Sequence, residues 1–144
     1  MSAMDFSGQD RRRGGPDRRA TGEKTKILIV DDHALFRVGI HNILDKEDDL
    51  EVVGEADDSR SAFDMAVETS PDIVLMDLSL GSPGGIETTQ RIKRELPSAA
   101  IIVLAVNEDE DALFEAIKAG AAAFILKDVG PDDLVTIIRR VYLG

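Results

Sequence analysis

Four charged residues stand where apolar runs stop. Asp31 and Asp32 follow Ile27-Leu28-Ile29-Val30, Asp77 follows Ile73-Val74-Leu75-Met76, and Lys127 follows Ala123-Phe124-Ile125-Leu126. Each has an ordinary explanation on its own, since Asp caps helices and a strand-end Lys is commonly solvated. Brought together they are harder to dismiss. Carboxylates a few ångströms apart repel strongly at low dielectric and need a cation to balance them. With no His or Cys in the set, oxygen ligands favour Mg²⁺ over Zn²⁺. A Mg²⁺ with open positions, beside a carboxylate and a lysine, is a place for a phosphoryl group.

The elements that must position these residues are legible from periodicity. The three runs above read as strands buried on both faces, and Ile101-Ile102-Val103-Leu104 as another. Val52-Val53-Gly54-Glu55-Ala56 is a weaker strand, suited to a sheet edge. Between them lie helical patterns. One runs from Leu35 through Val38 and Ile43 to about Lys46, and one covers 61–69 ahead of Pro71. Others cover 86–96 ahead of Pro97 and 109–119 closed by Gly120, and the last opens at Pro131 with an apolar face of Leu134, Ile137, Ile138 and Val141. Strand and helix alternate five times. This predicts an α/β fold, a doubly wound five-stranded parallel sheet with helices on both faces. Everything placed just after a strand then shares the carboxyl edge, where open α/β sheets bind ligands.

Composition sets the bounds. The chain has 144 residues, with 17 basic and 28 acidic, for a net charge of −11. Its 43% hydrophobic content supports a packed core, and with 4% aromatics and no Trp that core is aliphatic. The absence of Cys excludes disulfides, thiolate metal sites and a cysteine nucleophile. No apolar run approaches the roughly 20 residues that cross a bilayer, and the N-terminus lacks a signal-peptide core, so a cytoplasmic location without membrane contact is expected. Residues 1–25 carry +2 and include Arg11-Arg12-Arg13 and Arg18-Arg19. They read as a disordered Arg-rich tail, and 26–144 as one domain. That domain carries −13, so it repels a phosphate backbone and is not expected to bind DNA by itself.

Taken together, ILIVDDH, IVLMDL and FILKD at these spacings resemble the receiver domain of bacterial two-component response regulators, over roughly residues 26–142. VDDHALFRVGI is similar to the NarL/FixJ class, in which a LuxR-type helix-turn-helix follows the receiver. The resemblance implies the strand order 2-1-3-4-5 and assigns roles. Asp77 corresponds to the phosphoacceptor for a sensor histidine kinase. Asp32 corresponds to a direct Mg²⁺ ligand and Asp31 to one acting through water. Asp77 and the Ser79 backbone carbonyl complete the protein's ligands, and Lys127 pairs with a phosphoryl oxygen. A homodimer is a further implied partner, and DNA contact is expected only through a C-terminal domain beyond this chain.

The chain departs from the family at two places. The Thr or Ser that ends the fourth strand, and whose hydroxyl bonds the phosphoryl oxygen, is replaced by Ala105. Loss of a hydrogen bond to a charged group costs about 1.5–3 kcal/mol, which weakens the expected switch. Phe124 stands at the switch-ring position, where without a hydroxyl it can only pack. The loop after Asp77 has Gly81 where the family often has Pro, with Pro83 two residues later, and Gly81, Gly84 and Gly85 still permit the tight turn. His33 and His41 read as ordinary polar contacts.

Competing readings are an enzyme and a non-signalling module. A haloacid-dehalogenase-type phosphatase wants a second Asp two residues past the nucleophile, where this chain has Ser79. A flavodoxin needs a first loop that cradles phosphate, which Asp31-Asp32 opposes. A pseudo-receiver working without phosphorylation is favoured by Ala105 and opposed by the intact set Asp31, Asp32, Asp77 and Lys127. The expectation is therefore a phosphoacceptor that catalyses nothing beyond its own phosphoryl transfer and hydrolysis.

Overall fold

The computed structural model describes residues 3–5 and 23–144. Six strands and five helices follow one another as β1 (Ala3–Asp5), β2 (Thr25–Val30), α1 (Ala34–Asp45), β3 (Leu50–Ala56), α2 (Ser59–Thr69), β4 (Ile73–Asp77), α3 (Gly85–Glu95), β5 (Ala100–Ala105), α4 (Glu110–Ala119), β6 (Ala123–Leu126) and α5 (Pro131–Leu143). The sheet order is β1-β6-β5-β4-β2-β3. The last five strands are parallel, and in their own sequence order they read 2-1-3-4-5, as expected.

Alternation along the strands sorts the core into two layers. Ile27, Ile29, Ile73, Leu75, Ile102, Leu104 and Ile125 pack with Ile40 and Leu44 of α1 and with Leu134, Ile137, Ile138 and Val141 of α5. Leu28, Val30, Val74, Met76, Ile101, Val103 and Phe124 pack with Ala62 and Ala66 of α2, Ile92 of α3 and Ala116 of α4. Each fully buried aliphatic side chain contributes about 1.5–3 kcal/mol against exposure. Burial on both faces is why these strands read as continuous apolar runs rather than alternating ones. Helix ends follow local chemistry. Asp58 caps α2 by accepting from the Ser61 N–H, and Asp109 caps α4 by accepting from the Asp111 and Ala112 N–H groups. Gly120 closes α4 with φ of 101°, a left-handed conformation suited to glycine.

Two features go beyond the sequence reading. Ala3–Asp5, placed there in the disordered tail, form an antiparallel strand on β6, with Ala3 opposite Ile125 and Asp5 opposite Ala123. The arginines expected in that tail lie outside the described residues. The β2–β3 register also shifts, Ile27 facing Val52 and Leu28 facing Gly54, which leaves Val53 as a one-residue bulge. Gly54 suits this place, because a Cβ there would lie 2.8 Å from the Met65 side chain. Among the described residues, no helix is long and apolar enough to cross a membrane.

Candidate functional site

The apolar runs deliver their charged ends to one place. Asp31 follows β2 directly, Asp77 ends β4, and Lys127 follows β6. The Lys127 ammonium lies 2.8 Å from Asp31 Oδ2 and 3.2 Å from Asp77 Oδ1. Asp31 and Asp77 are both fully buried, while Asp32 is exposed. One ligand atom from each of Asp31, Asp32, His33 and Asp77 lies within 4.8 Å of the others.

Local backbone chemistry holds each side chain. The His33 N–H donates to Asp31 Oδ1 at 2.8 Å, closing a turn on the carboxylate. The Ser79 N–H donates to Asp77 Oδ1 at 3.0 Å. The Lys127 N–H donates to the Ala105 carbonyl and the Leu78 N–H to the Leu104 carbonyl, both at 2.8 Å, tying the ends of β4, β5 and β6 together. Ser79 thus touches the site through its N–H. Ala105 is buried at the end of β5 and presents a methyl group beside this junction. Phe124 is buried in the core layer with Val103 and Ala105.

The electrostatics are unbalanced. Burial pushes the Asp77 carboxyl above the ordinary carboxylate range; the Ser79 hydrogen bond opposes this, the Asp31 charge adds to it, and Lys127 opposes it. For Lys127, burial favours the neutral amine, yet the Asp31 hydrogen bond and the charges of Asp77 and Asp31 outweigh it and raise the ammonium above its ordinary value. Three carboxylates and one ammonium leave an excess of negative charge. Asp77 Oδ2 is buried and has no hydrogen-bond partner among the described residues. A buried acceptor left in this way is costly unless something fills its lone pairs. Oxygen donors, excess negative charge and an orphaned buried oxygen fit a hard divalent cation such as Mg²⁺.

Three residues around the start of α1 also enter the site; the sequence reading gave His33 an ordinary polar contact and gave Phe36 and Arg37 no role. His33 Nδ1 lies 3.1 Å from Asp31 Oδ1 and 3.0 Å from Asp32 Oδ1, so its ordinary polar contact is with the acid pair itself. The Phe36 ring carries the Lys127 ammonium 4.8 Å from its centroid, a cation–π contact. The Arg37 guanidinium donates to the Asp31 carbonyl and, at 3.1 Å, to Glu55. Their signal was the one-turn spacing of 33, 36 and 37 at the start of α1, directly after the acid pair. His41 lies away from the site and meets Glu55 at 2.7 Å.

Gly85 has a role other than turn freedom. A Cβ there would lie 2.4 Å from the Asp77 carbonyl oxygen and 2.9 Å from Leu78 Cα. Only glycine lets α3 start this close to the strand end that carries Asp77.

Known proteins share this arrangement. The profile of the response regulator receiver domain family matches residues 27–139. The transcriptional regulatory protein LiaR of Bacillus subtilis is 40% identical over 119 residues, covering 83% of this chain and 56% of that protein. The oxygen regulatory protein NreC of Staphylococcus carnosus is 39% identical over 121 residues, covering 83% and 55%. The chain therefore spans about half the length of the curated relatives it matches. Among solved structures, a LuxR-family two-component response regulator from Aurantimonas superposes with a TM-score of 0.80 at 34% identity, covering 85% of this chain and 87% of that one. The receiver domain of the putative regulator NarL from Mycobacterium tuberculosis gives 0.81 at 28% identity, covering 85% and 98%. With its sheet order, its acid cluster and its relatives in agreement, this chain belongs to the response regulator receiver domain family, among the LuxR-type two-component regulators.

Proposed function

We propose that Asp77 accepts a phosphoryl group from the phosphohistidine of a sensor histidine kinase. The observation that carries this is Asp77 Oδ2, a buried carboxylate oxygen with no hydrogen-bond partner among the described residues, on a carboxylate next to the Lys127 ammonium. In this reaction an Asp77 oxygen bonds to phosphorus as the phosphorus–nitrogen bond breaks. The bonding pair returns to the imidazole nitrogen, and an acyl phosphate remains. Lys127 neutralises charge on the equatorial oxygens and leaves Asp31 or Asp77 to do so. The Ser79 N–H holds Asp77 Oδ1 and keeps the carboxylate oriented.

Asp32, Asp31 through water, Asp77 and the Ser79 carbonyl are the groups that would hold Mg²⁺. Bound there, the ion supplies charge neutralisation to the transferred phosphoryl group. The relatives named as regulators are about twice as long as the stretch matched here, which supports an output through a further DNA-binding segment. Ala105 supports a switch weaker than usual, while the assembled Asp31, Asp32, Asp77 and Lys127 count against a module that works without phosphate.

Incubation with Mg²⁺ and acetyl phosphate, or with a phosphorylated kinase, is expected to add one base-labile phosphoryl group. Asp77→Asn is expected to abolish it. Stoichiometric labelling that persists in that variant overturns the assignment.

A further inference from the structure

The sheet has two edges, and they are closed by different means. The β3 edge carries exposed Glu51 and the Val53 bulge, charge and irregularity that discourage pairing. The β6 edge is closed by backbone. Ala3 faces Ile125, Met4 faces Phe124 and Asp5 faces Ala123, antiparallel.

The hydrogen-bonding parity of β6 fits that register. On the neighbouring β5, the Ala100 N–H donates to the Asp72 carbonyl and the Leu104 carbonyl accepts from the Leu78 N–H, so residues 100, 102 and 104 face β4. Residues 101, 103 and 105 then face β6, where the Ala105 carbonyl accepts from the Lys127 N–H at 2.8 Å. With Ala123 beside Ile102 and Ile125 beside Leu104, alternation turns the N–H groups of Ala123 and Ile125 towards β5, and those of Phe124 and Leu126 outward. Phe124 is the residue opposite Met4. In an antiparallel ladder such a pair exchanges both hydrogen bonds, with Ala3–Ile125 and Asp5–Ala123 as the unbonded pairs on either side.

We propose that the outer edge of β6 is a strand-docking site whose occupant is this chain's own Ala3–Asp5 segment, held in cis. Chain length permits it. Asp5 sits opposite the first residue of β6, and Thr25 is the first residue of β2, so both lie at the amino edge of the sheet. Four strand intervals separate β1 from β2, roughly 19 Å at about 4.8 Å each. The number of residues from 6 to 24 exceeds what that gap requires, since an extended chain reaches about 3.3 Å per residue. Charge favours it too, because residues 1–25 carry +2 and the remainder −13. The strand so covered runs directly into Lys127. An extended peptide from a partner that adds to this edge has to displace residues 3–5 first.

Amide hydrogen exchange on the full chain and on a chain lacking residues 1–22 tests this. Phe124 is expected to exchange about tenfold faster or more in the truncated chain, with Ala123 and Ile125 unchanged. In the full chain its protection is expected to be independent of protein concentration. Equal rates in both chains overturn the proposal. Protection that grows with concentration overturns the cis occupant and gives the edge to a second copy. Should the truncated chain not fold, full-chain proline variants replace it. Met4→Pro removes a ladder donor and is expected to speed exchange at Phe124, whereas Ala3→Pro and Asp5→Pro spare that donor. No effect from Met4→Pro, or an equal effect from all three, overturns the proposal.

Discussion

Among the described residues, two acids close on one Lys or Arg at two places. At the carboxyl edge of the sheet, Asp31 and Asp77 close on Lys127. Elsewhere, Arg139 of α5 reaches the turn between α1 and β3, 2.7 Å from Glu47 and 2.8 Å from Asp49, with a second bond from Nε to Asp49 at 3.0 Å. The charges are the same in kind. Burial differs, and so does satisfaction. Arg139 keeps 38% of its side chain exposed and grips Asp49 with two donors. The Asp49 hydrogen bond, against some cost of burial, and the Glu47 bond raise the guanidinium further above its ordinary value. The carboxyl-edge set is almost wholly buried, and among the described residues Asp77 Oδ2 has no hydrogen-bond partner. A cluster that satisfies itself fastens the fold. One that is left short of charge and hydrogen bonds holds a place for something else.

The hardest test of that contrast is Asp77→Asn, which is expected to abolish phosphoryl uptake yet raise the melting temperature in metal-free buffer. The amide removes an ionised group that burial and Asp31 disfavour. A melting temperature that falls instead makes Asp77 a structural anchor, like Asp49. Next in size is Ala105→Thr. A hydroxyl that bonds the phosphoryl oxygen is worth about 1.5–3 kcal/mol, so the phosphorylation-dependent amide shifts over residues 105–127 are expected to grow. A full-sized transition in the unaltered chain, to which Ala105→Thr adds nothing, removes Ala105 from the switch.

Mg²⁺ separates the two clusters further. At tenfold over its dissociation constant it is expected to add about 1.4 kcal/mol to stability, seen as a rise in melting temperature. Asp32→Asn is expected to weaken this more than Asp31→Asn, and an unaltered chain indifferent to Mg²⁺ shows that the acids hold no metal. Arg139→Ala is expected to cost about 1 kcal/mol in urea unfolding, tempered by exposure, while leaving phosphoryl uptake intact.

The smallest effect concerns Glu55 of β3. His41, against some cost of burial, and then Arg37 hold its carboxyl below its ordinary value of 4.5. A carboxyl lowered in the folded state adds stability above its unfolded value and loses it as pH falls through the folded one. Glu55→Gln is therefore expected to flatten the acid limb of the stability curve from about pH 5 downward, by a few tenths of a kcal/mol. An unchanged acid limb shows the pairing to be silent.

Much of the fold was open to reading because its rules are local. Apolar runs of four, helical spacing, Pro97, Gly120 and Pro131 each mark an element within one or two turns of chain. The site was half legible. That Asp31, Asp77 and Lys127 share an edge follows from alternating strands and helices, since parallel strands end on the same side. Their assignment to a phosphoacceptor site came from family resemblance, and neither their distances nor their partners were legible. Phe36 beneath Lys127 and Arg37 beside Asp31 gave no signal beyond helical spacing. Gly85 was read as a turn residue, although what requires it is a backbone that passes close in space.

Sequence alone determined the parallel α/β layout, the aliphatic core and the gathering of three carboxylates and a lysine at one edge, because burial period and strand polarity are properties of neighbouring residues. Tertiary structure decided the rest. It set Asp31 and Asp77 on the same ammonium, left Asp77 Oδ2 without a hydrogen-bond partner among the described residues, and turned Ala-Met-Asp into a strand. Three residues carry no readable period, and what makes them a strand is the row of outward N–H and C=O groups that β6 holds open beside them.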